Sequence, residues 1–245
     1  MRVIARLDVK NAFVIKGIHL EGLRKVGDPN ELARAYYAQG ADEIMFIDSV
    51  ASLYGRNNLF PVIRKASEEV FVPITIGGGI RSIDDVAQAL DSGADKVAIN
   101  TATVSNPKLI QDIARKYGSQ CVVASIQTKT VPGGWEAYVE AGREKTGLNA
   151  LDWAKRLVDL GAGEMIITSI DQEGTKSGFD LDVAQAINDS VNVPVIISGG
   201  YGQPRHLSDL WKRTHPSGVC FASVLHYKTA TVTDLKHAVQ VAEQS

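Results

Sequence analysis

Short runs that are apolar at nearly every position alternate with longer amphipathic stretches along the whole chain. The short runs lie at 3–9, 43–48, 74–77, 96–100, 121–127, 164–169, 195–198 and 218–223, and most are rich in Val and Ile. Strands covered on both faces read this way. Between them, apolar residues recur at helical spacing over about 29–39, 60–70, 83–92, 107–117, 150–160, 181–190, 204–212 and 232–243. Several of these stretches carry start signals: Asp28 before Pro29 with Glu31 following, Ser82 with Asp85, and Asn106 before Pro107. Eight strands alternating with eight helices in 245 residues predict an α/β chain folded as a (β/α)8 TIM barrel. A doubly wound open sheet is the alternative, but nothing resembles its Gly-rich first turn.

An internal repeat favours the barrel. Gly40-Ala41-Asp42-Glu43-Ile44-Met45 returns as Gly161-Ala162-Gly163-Glu164-Met165-Ile166, and the Val72–Gly79 stretch returns as Val193–Gly200, both at an offset of 121. Residues 4–10 and 123–129 match more loosely at an offset of 119. Two similar half-barrels, approximately 1–120 and 121–245, therefore make up one domain, 1–245, since each half needs the other to close its sheet.

Charge narrows the function. Lys and Arg number 26 against 28 Asp and Glu, a net charge of -2 with no block of one sign. That argues against a nucleic-acid or membrane-surface partner. No apolar run approaches the roughly 20 residues of a membrane span, and the N-terminus lacks a signal peptide's apolar centre, so a cytoplasmic protein is expected. Cys121 and Cys220 sit in apolar runs and read as buried thiols. The five histidines fall in no ligand spacing, and neither a metal nor a cofactor is expected.

The candidate chemistry gathers at strand ends. In a barrel the long connections at 10–27 and 128–147 lie on the C-terminal face, where active sites are built, and the second holds a hairpin signal at 131–138. Gly78 and Gly79 with Asn100 and Thr101, and Gly199 and Gly200 with Ala222 and Ser223, form two symmetric glycine-rich turns. Tight turns need glycine anyway, yet two such turns on opposite sides of one mouth suit a ligand bearing a phosphate at each end. Asp8 ends an apolar strand, as a general acid or base or as a structural link to Lys10 or Lys16. Its mate in the second half is Gln127, which can orient a substrate but cannot shuttle a proton. Asp48 and Asp171 offer further carboxylates at the same face. At the opposite end Arg2, Glu43, Lys96 and Glu164 begin strands, either as an inward-facing ring of two positive and two negative charges or as four independent surface charges.

Leu7-Asp8-Val9-Lys10, Lys16-Gly17, Gly27-Asp28-Pro29, the run from Gly77 to Ser82, Gly93-Ala94-Asp95-Lys96 and the run from Thr168 to Gly174 together resemble HisF, the cyclase subunit of imidazole glycerol phosphate synthase. The likeness runs from Arg2 to about Leu235. The resemblance implies a glutaminase partner (HisH-like) at the N-terminal face. Its ammonia would cross the barrel to a bisphosphate formimino ribulosyl carboxamide, yielding imidazole glycerol phosphate. By resemblance Asp8 is the catalytic acid/base and Lys16 belongs to a mobile loop that helps close the site. Gly174 joins the second phosphate turn, and Thr168 and Ser169 join Asp48 and Asp171 as substrate-binding positions. Arg2, Glu43, Lys96 and Glu164 match the charged ring at the channel opening, and Asp95 matches a position at the glutaminase interface.

Three positions depart from the family pattern. Gln127 stands where a second catalytic aspartate is usual, Arg6 where cysteine is usual, and Glu173 where aspartate is usual. Loss of one of two proton-transfer groups costs on the order of 100- to 10,000-fold in rate. The departures leave open a relative that channels ammonia to a different acceptor, such as a nucleotide-linked sugar in surface-glycan synthesis. A non-catalytic barrel that only activates a glutaminase also stays open.

Overall fold

The computed structural model describes residues 1–51 and 59–244. Among these, twelve strands form one sheet: β1 (Arg2–Lys10), β2 (Phe13–Ile18), β3 (Glu21–Gly27), β4 (Glu43–Asp48), β5 (Ile74–Gly77), β6 (Lys96–Ile99), β7 (Val122–Val131), β8 (Gly134–Val139), β9 (Glu144–Asn149), β10 (Glu164–Ser169), β11 (Val195–Ser198) and β12 (Gly218–Phe221). Eight of them run parallel in the cyclic order β1-β4-β5-β6-β7-β10-β11-β12, and β12 pairs with β1 to close the ring. Helices follow these strands, so the chain is a (β/α)8 barrel.

Strand alternation sorts the core into two parts. On β1, Val3, Ala5, Leu7 and Val9 pack outward into the large cluster shared with the helices. Ile4 turns inward with Met45, Ala98, Val123, Ile166, Ile196 and Cys220, one residue from each of seven strands, and these fill the middle of the bore. Each fully buried Ile or Leu side chain is worth about 1.5–3 kcal/mol.

Asp28 caps the helix Pro29–Ala38 by accepting from the amides of Asn30 and Glu31, and Ser82 and Asp85 form a reciprocal capping box. The signal at Asn106 fails: the helix starts at Lys108 behind Pro107, with no side-chain cap. Ser223, expected to end the last strand, instead opens a short helix, Ser223–His226, and another, Thr101–Ser105, follows β6. The long connections are antiparallel hairpins. β2 and β3 extend β1, while β8 and β9 extend β7, which runs on to Val131.

Candidate active site

Residues at even positions on β1 face the bore, which places Arg6 directly below Asp8. Both are buried. Arg6 donates to Asp8 Oδ1 from Nε at 3.0 Å and from Nη2 at 2.9 Å. Its Nη1 donates to Thr168 Oγ1 at 3.0 Å and to Ser198 Oγ at 3.2 Å. The guanidinium thus bridges β1, β10 and β11 across the top of the apolar layer. Lys16, on β2, lies 3.9 Å from Asp8 Oδ2 and pairs with Glu173. Burial alone would push the Asp8 carboxyl up, but Arg6 and then Lys16 outweigh it and hold Asp8 below the usual carboxylate range. Asp8 is therefore a fixed carboxylate, able to take a proton or face a developing cation and poorly suited to give a proton. Sequence reading noted Arg6 only as a family departure. The signal that finds its partner is its spacing of two from Asp8 on a strand.

Two cavities open on either side of this charged group. The larger, about 310 Å³, is lined by Gly78, Gly79, Asn100 and Thr101 on one side and by Arg6, Asp8 and Lys16 on the other. Ala98 and Ile166 lie at its base, and Asp48 and Gln127 contribute to its wall. The smaller, about 20 Å³, is lined by Glu173, Gly174, Gly199, Gly200, Ala222 and Ser223. Close backbone packing fixes glycine in both turns. A Cβ on Gly78 would fall 2.2 Å from the Asp48 carbonyl oxygen, and one on Gly200 would fall 1.9 Å from that of Gly178.

The other candidate residues divide. Asp48 Oδ1 accepts from the Val50 amide at 3.0 Å. Gln127 Oε1 accepts from Asn100 Nδ2 at 3.1 Å, and the same amide donates to the Tyr138 carbonyl at 3.1 Å. Thr168 faces inward to Arg6, so its neighbour Ser169 faces outward, where it donates to Asp180 Oδ2 at 3.3 Å. Asp171 accepts from the Thr130 amide at 2.8 Å. Neither Ser169 nor Asp171 lines either of these two cavities.

The β2–β3 hairpin folds over the mouth. His19 donates its amide to the Glu173 carbonyl at 2.8 Å, and its Nδ1 meets the Ile170 carbonyl at 2.9 Å. Together with the Lys16–Glu173 pair, these contacts seat the hairpin on the segment that follows β10. Sequence reading missed this hairpin and the role of His19.

At the opposite end the four strand-start charges meet. Glu43 Oε2 accepts from Arg2 Nη1 at 2.9 Å and from Lys96 Nζ at 2.8 Å. Glu164 accepts from Lys96 at 2.7 Å and also from Arg2, which closes a ring of alternating sign. Thr75 Oγ1 donates to the second oxygen of the fully buried Glu43 at 2.6 Å. Asp95 sits beside the ring on the surface, where it accepts from the Ile74 amide at 2.8 Å. Among the described residues no group of three or more His, Cys, Asp or Glu is placed to hold a metal, and no helix is long and apolar enough to cross a membrane.

A family model described as histidine biosynthesis protein matches residues 2–231. The chain is 60% identical over 204 residues to a Legionella pneumophila protein named imidazole glycerol phosphate synthase subunit HisF, covering 83% of this chain and 96% of that protein. A protein of the same name from Streptococcus mutans serotype c is 45% identical over 240 residues, covering 98% of this chain and 96% of the relative. With the barrel and the arrangement at its two ends, these matches mean that the chain belongs to the HisF family of imidazole glycerol phosphate synthase cyclase subunits.

Proposed function

We propose that the chain uses ammonia, released by a glutaminase docked on its N-terminal face, to convert a bisphosphate formimino ribulosyl carboxamide ribotide. The products are imidazole glycerol phosphate and an aminoimidazole carboxamide ribotide. The observation that carries this reading is the pair of glycine-walled cavities flanking Asp8 and Lys16 at one mouth. A phosphate at Gly78, Gly79, Asn100 and Thr101 and another at Gly174, Gly199, Gly200, Ala222 and Ser223 would stretch the substrate across the Asp8 carboxylate. Asp8 then accepts a proton as ammonia adds, while Lys16 closes the hairpin over the reacting centre. Gln127 and Asp48 orient the substrate from the wall of the larger cavity. The ring of Arg2, Glu43, Lys96 and Glu164 is the point at which ammonia enters the bore, and Asp95 belongs to the docking face.

A second reading is favoured by one specific observation, the double hydrogen bond from Arg6 to Asp8. With Gln127 in place of a second acid, it leaves the mouth without a proton donor on either strand. This suits an ammonia-using synthase whose acceptor is another phosphorylated or nucleotide-linked compound.

Turnover of the formimino ribulosyl substrate by the full chain in excess ammonium salt separates the two, because it removes the partner from the test. Turnover on the order of one per second supports the cyclase reading. Absence of turnover with the substrate still bound supports the second, and a gain of 100-fold or more in Gln127→Asp would mark the missing acid as the cause.

A further inference from the structure

Two neutral polar side chains face the mouth from β7. Val122, Ala124 and Ile126 pack outward against the helices, and Val123 belongs to the layer that fills the bore. Strand alternation therefore points Ser125 and Gln127 inward above Val123. Their register partners on β10, Ile166 and Thr168, face inward as well. Both residues are half-buried and line the larger cavity. At the sequence offset of 119 they correspond to Arg6 and Asp8, but the two pairs differ in what they already hold. Arg6 and Asp8 bond each other and their neighbours, whereas the Ser125 hydroxyl bonds no other described residue. Gln127 is fixed in one orientation. Asn100 Nδ2 also donates to the Tyr138 carbonyl, which can only accept, so Gln127 must meet that amino group with Oε1. Its Nε2 is left without a partner among the described residues, and neither Nε2 nor Ser125 Oγ is shut off from solvent.

A fixed N–H donor beside a hydroxyl that can donate or accept suits a group that offers an acceptor and a donor together. An amide does so: its carbonyl takes the Gln127 N–H, and its own N–H gives to Ser125 Oγ. A phosphate or carboxylate is acceptor only, and it has better partners in the same cavity, the glycine turn and the guanidinium groups of Arg81 and Arg143. Ala98 and Ile166 lie beside the pair, so a ligand covering this wall displaces its water and must return both bonds or lose affinity. At about 310 Å³ the cavity has room for such a group beside a phosphate. We infer that Ser125 and Gln127 form a specificity-determining pair, which binds an amide group of a phosphorylated ligand held at Gly78 and Thr101. The inference rests on the phosphate reading above and adds to it the chemistry recognised along β7.

Isothermal titration of the full chain with three probes tests it: aminoimidazole carboxamide ribotide, aminoimidazole ribotide, which lacks only the carboxamide, and inorganic phosphate. Wild type should prefer the carboxamide ribotide to its amide-free counterpart by about tenfold or more, the effect of two hydrogen bonds. Ser125→Ala should cut that preference about three- to tenfold, with the other two probes within about twofold and the unliganded Tm level. Gln127→Glu keeps an oxygen for Asn100 but turns the donor into an acceptor, and it should abolish the preference. The new charge acts on the phosphate of both ribotides alike, so their ratio isolates the amide. No preference in wild type, an unchanged preference in either variant, or a lower unliganded Tm in Ser125→Ala would each overturn the assignment. Equal weakening of all three probes in Ser125→Ala would do the same. Wild type that binds inorganic phosphate and neither ribotide overturns the assignment alone, whereas wild type that binds none of the three overturns the phosphate reading and this assignment with it.

Discussion

Arg6 and Asp8 are buried charges in a bore that is otherwise apolar one layer below, so each is stabilised chiefly by the other. Removing one member of a buried pair leaves an uncompensated charge and costs about 3–5 kcal/mol, whereas replacing both with apolar side chains is often neutral. Arg6→Met should accordingly lower stability to urea by about that amount. Arg6→Met combined with Asp8→Leu should recover most of the loss, because Lys16 keeps Glu173 as its partner. A double variant as unstable as the single one would mean that Arg6 acts mainly through Thr168 and Ser198. The sequence showed that both residues occupy one strand, and spacing by two puts them on one face. It did not show that a guanidinium would bend toward the mouth to meet Asp8 and two hydroxyls on the far strands, because those partners lie more than 160 residues away.

At the level of elements, legibility followed burial. The strands at 43–48, 74–77, 164–169 and 195–198 match β4, β5, β10 and β11 end for end, since both faces of each are covered and the interior of each run is mostly apolar, with polar residues mainly at its ends. The β2–β3 hairpin gives no such signal. β3 has no buried residue, and its pairing with β2 shifts register twice, so neither a continuous apolar run nor a clean alternation survives in the sequence. The helices Thr101–Ser105 and Ser223–His226 are too short to show a period. What seats the hairpin is a close backbone approach. Gly174, at φ 77°, would carry a Cβ 2.5 Å from the Gly17 carbonyl oxygen and 2.9 Å from Ile18 Cα. Gly174→Ala should therefore lift the hairpin without opening the barrel. Amide hydrogen exchange is expected to quicken across 13–27 at least tenfold while strands β4 and β5 keep their protection. Unchanged exchange in the hairpin would show that the Lys16–Glu173 pair and His19 hold it unaided.

Across the whole molecule, the sequence repeats at an offset of 121 residues, and the contacts between the first and second halves of the chain depend on individual side chains that a repeat cannot reveal. One seam joins β12 to β1, and beside it His226 of the second half meets Tyr36 of the first, with the Tyr36 hydroxyl 2.8 Å from His226 Nδ1. The imidazole is buried, and burial pushes its pKa down to about 4 despite the opposing pull of Asp8. With the folded value below the ordinary 6.5, the unfolded chain binds the extra proton first as pH falls. Stability from this group is thus complete above pH 6.5 and is lost progressively down to about pH 4, by about 3 kcal/mol in all. Asp8 titrates on the other side of that window. Its folded value lies below 3.8, so its contribution is lost only as pH falls below the ordinary carboxylate range. Urea midpoints measured from pH 7 to pH 4 should therefore fall steadily in wild type. In His226→Gln, whose amide oxygen can still accept from Tyr36 but cannot titrate, the midpoint should fall much less over the same range. An equal slope in the two proteins would remove His226 as the acid-sensitive point of the seam.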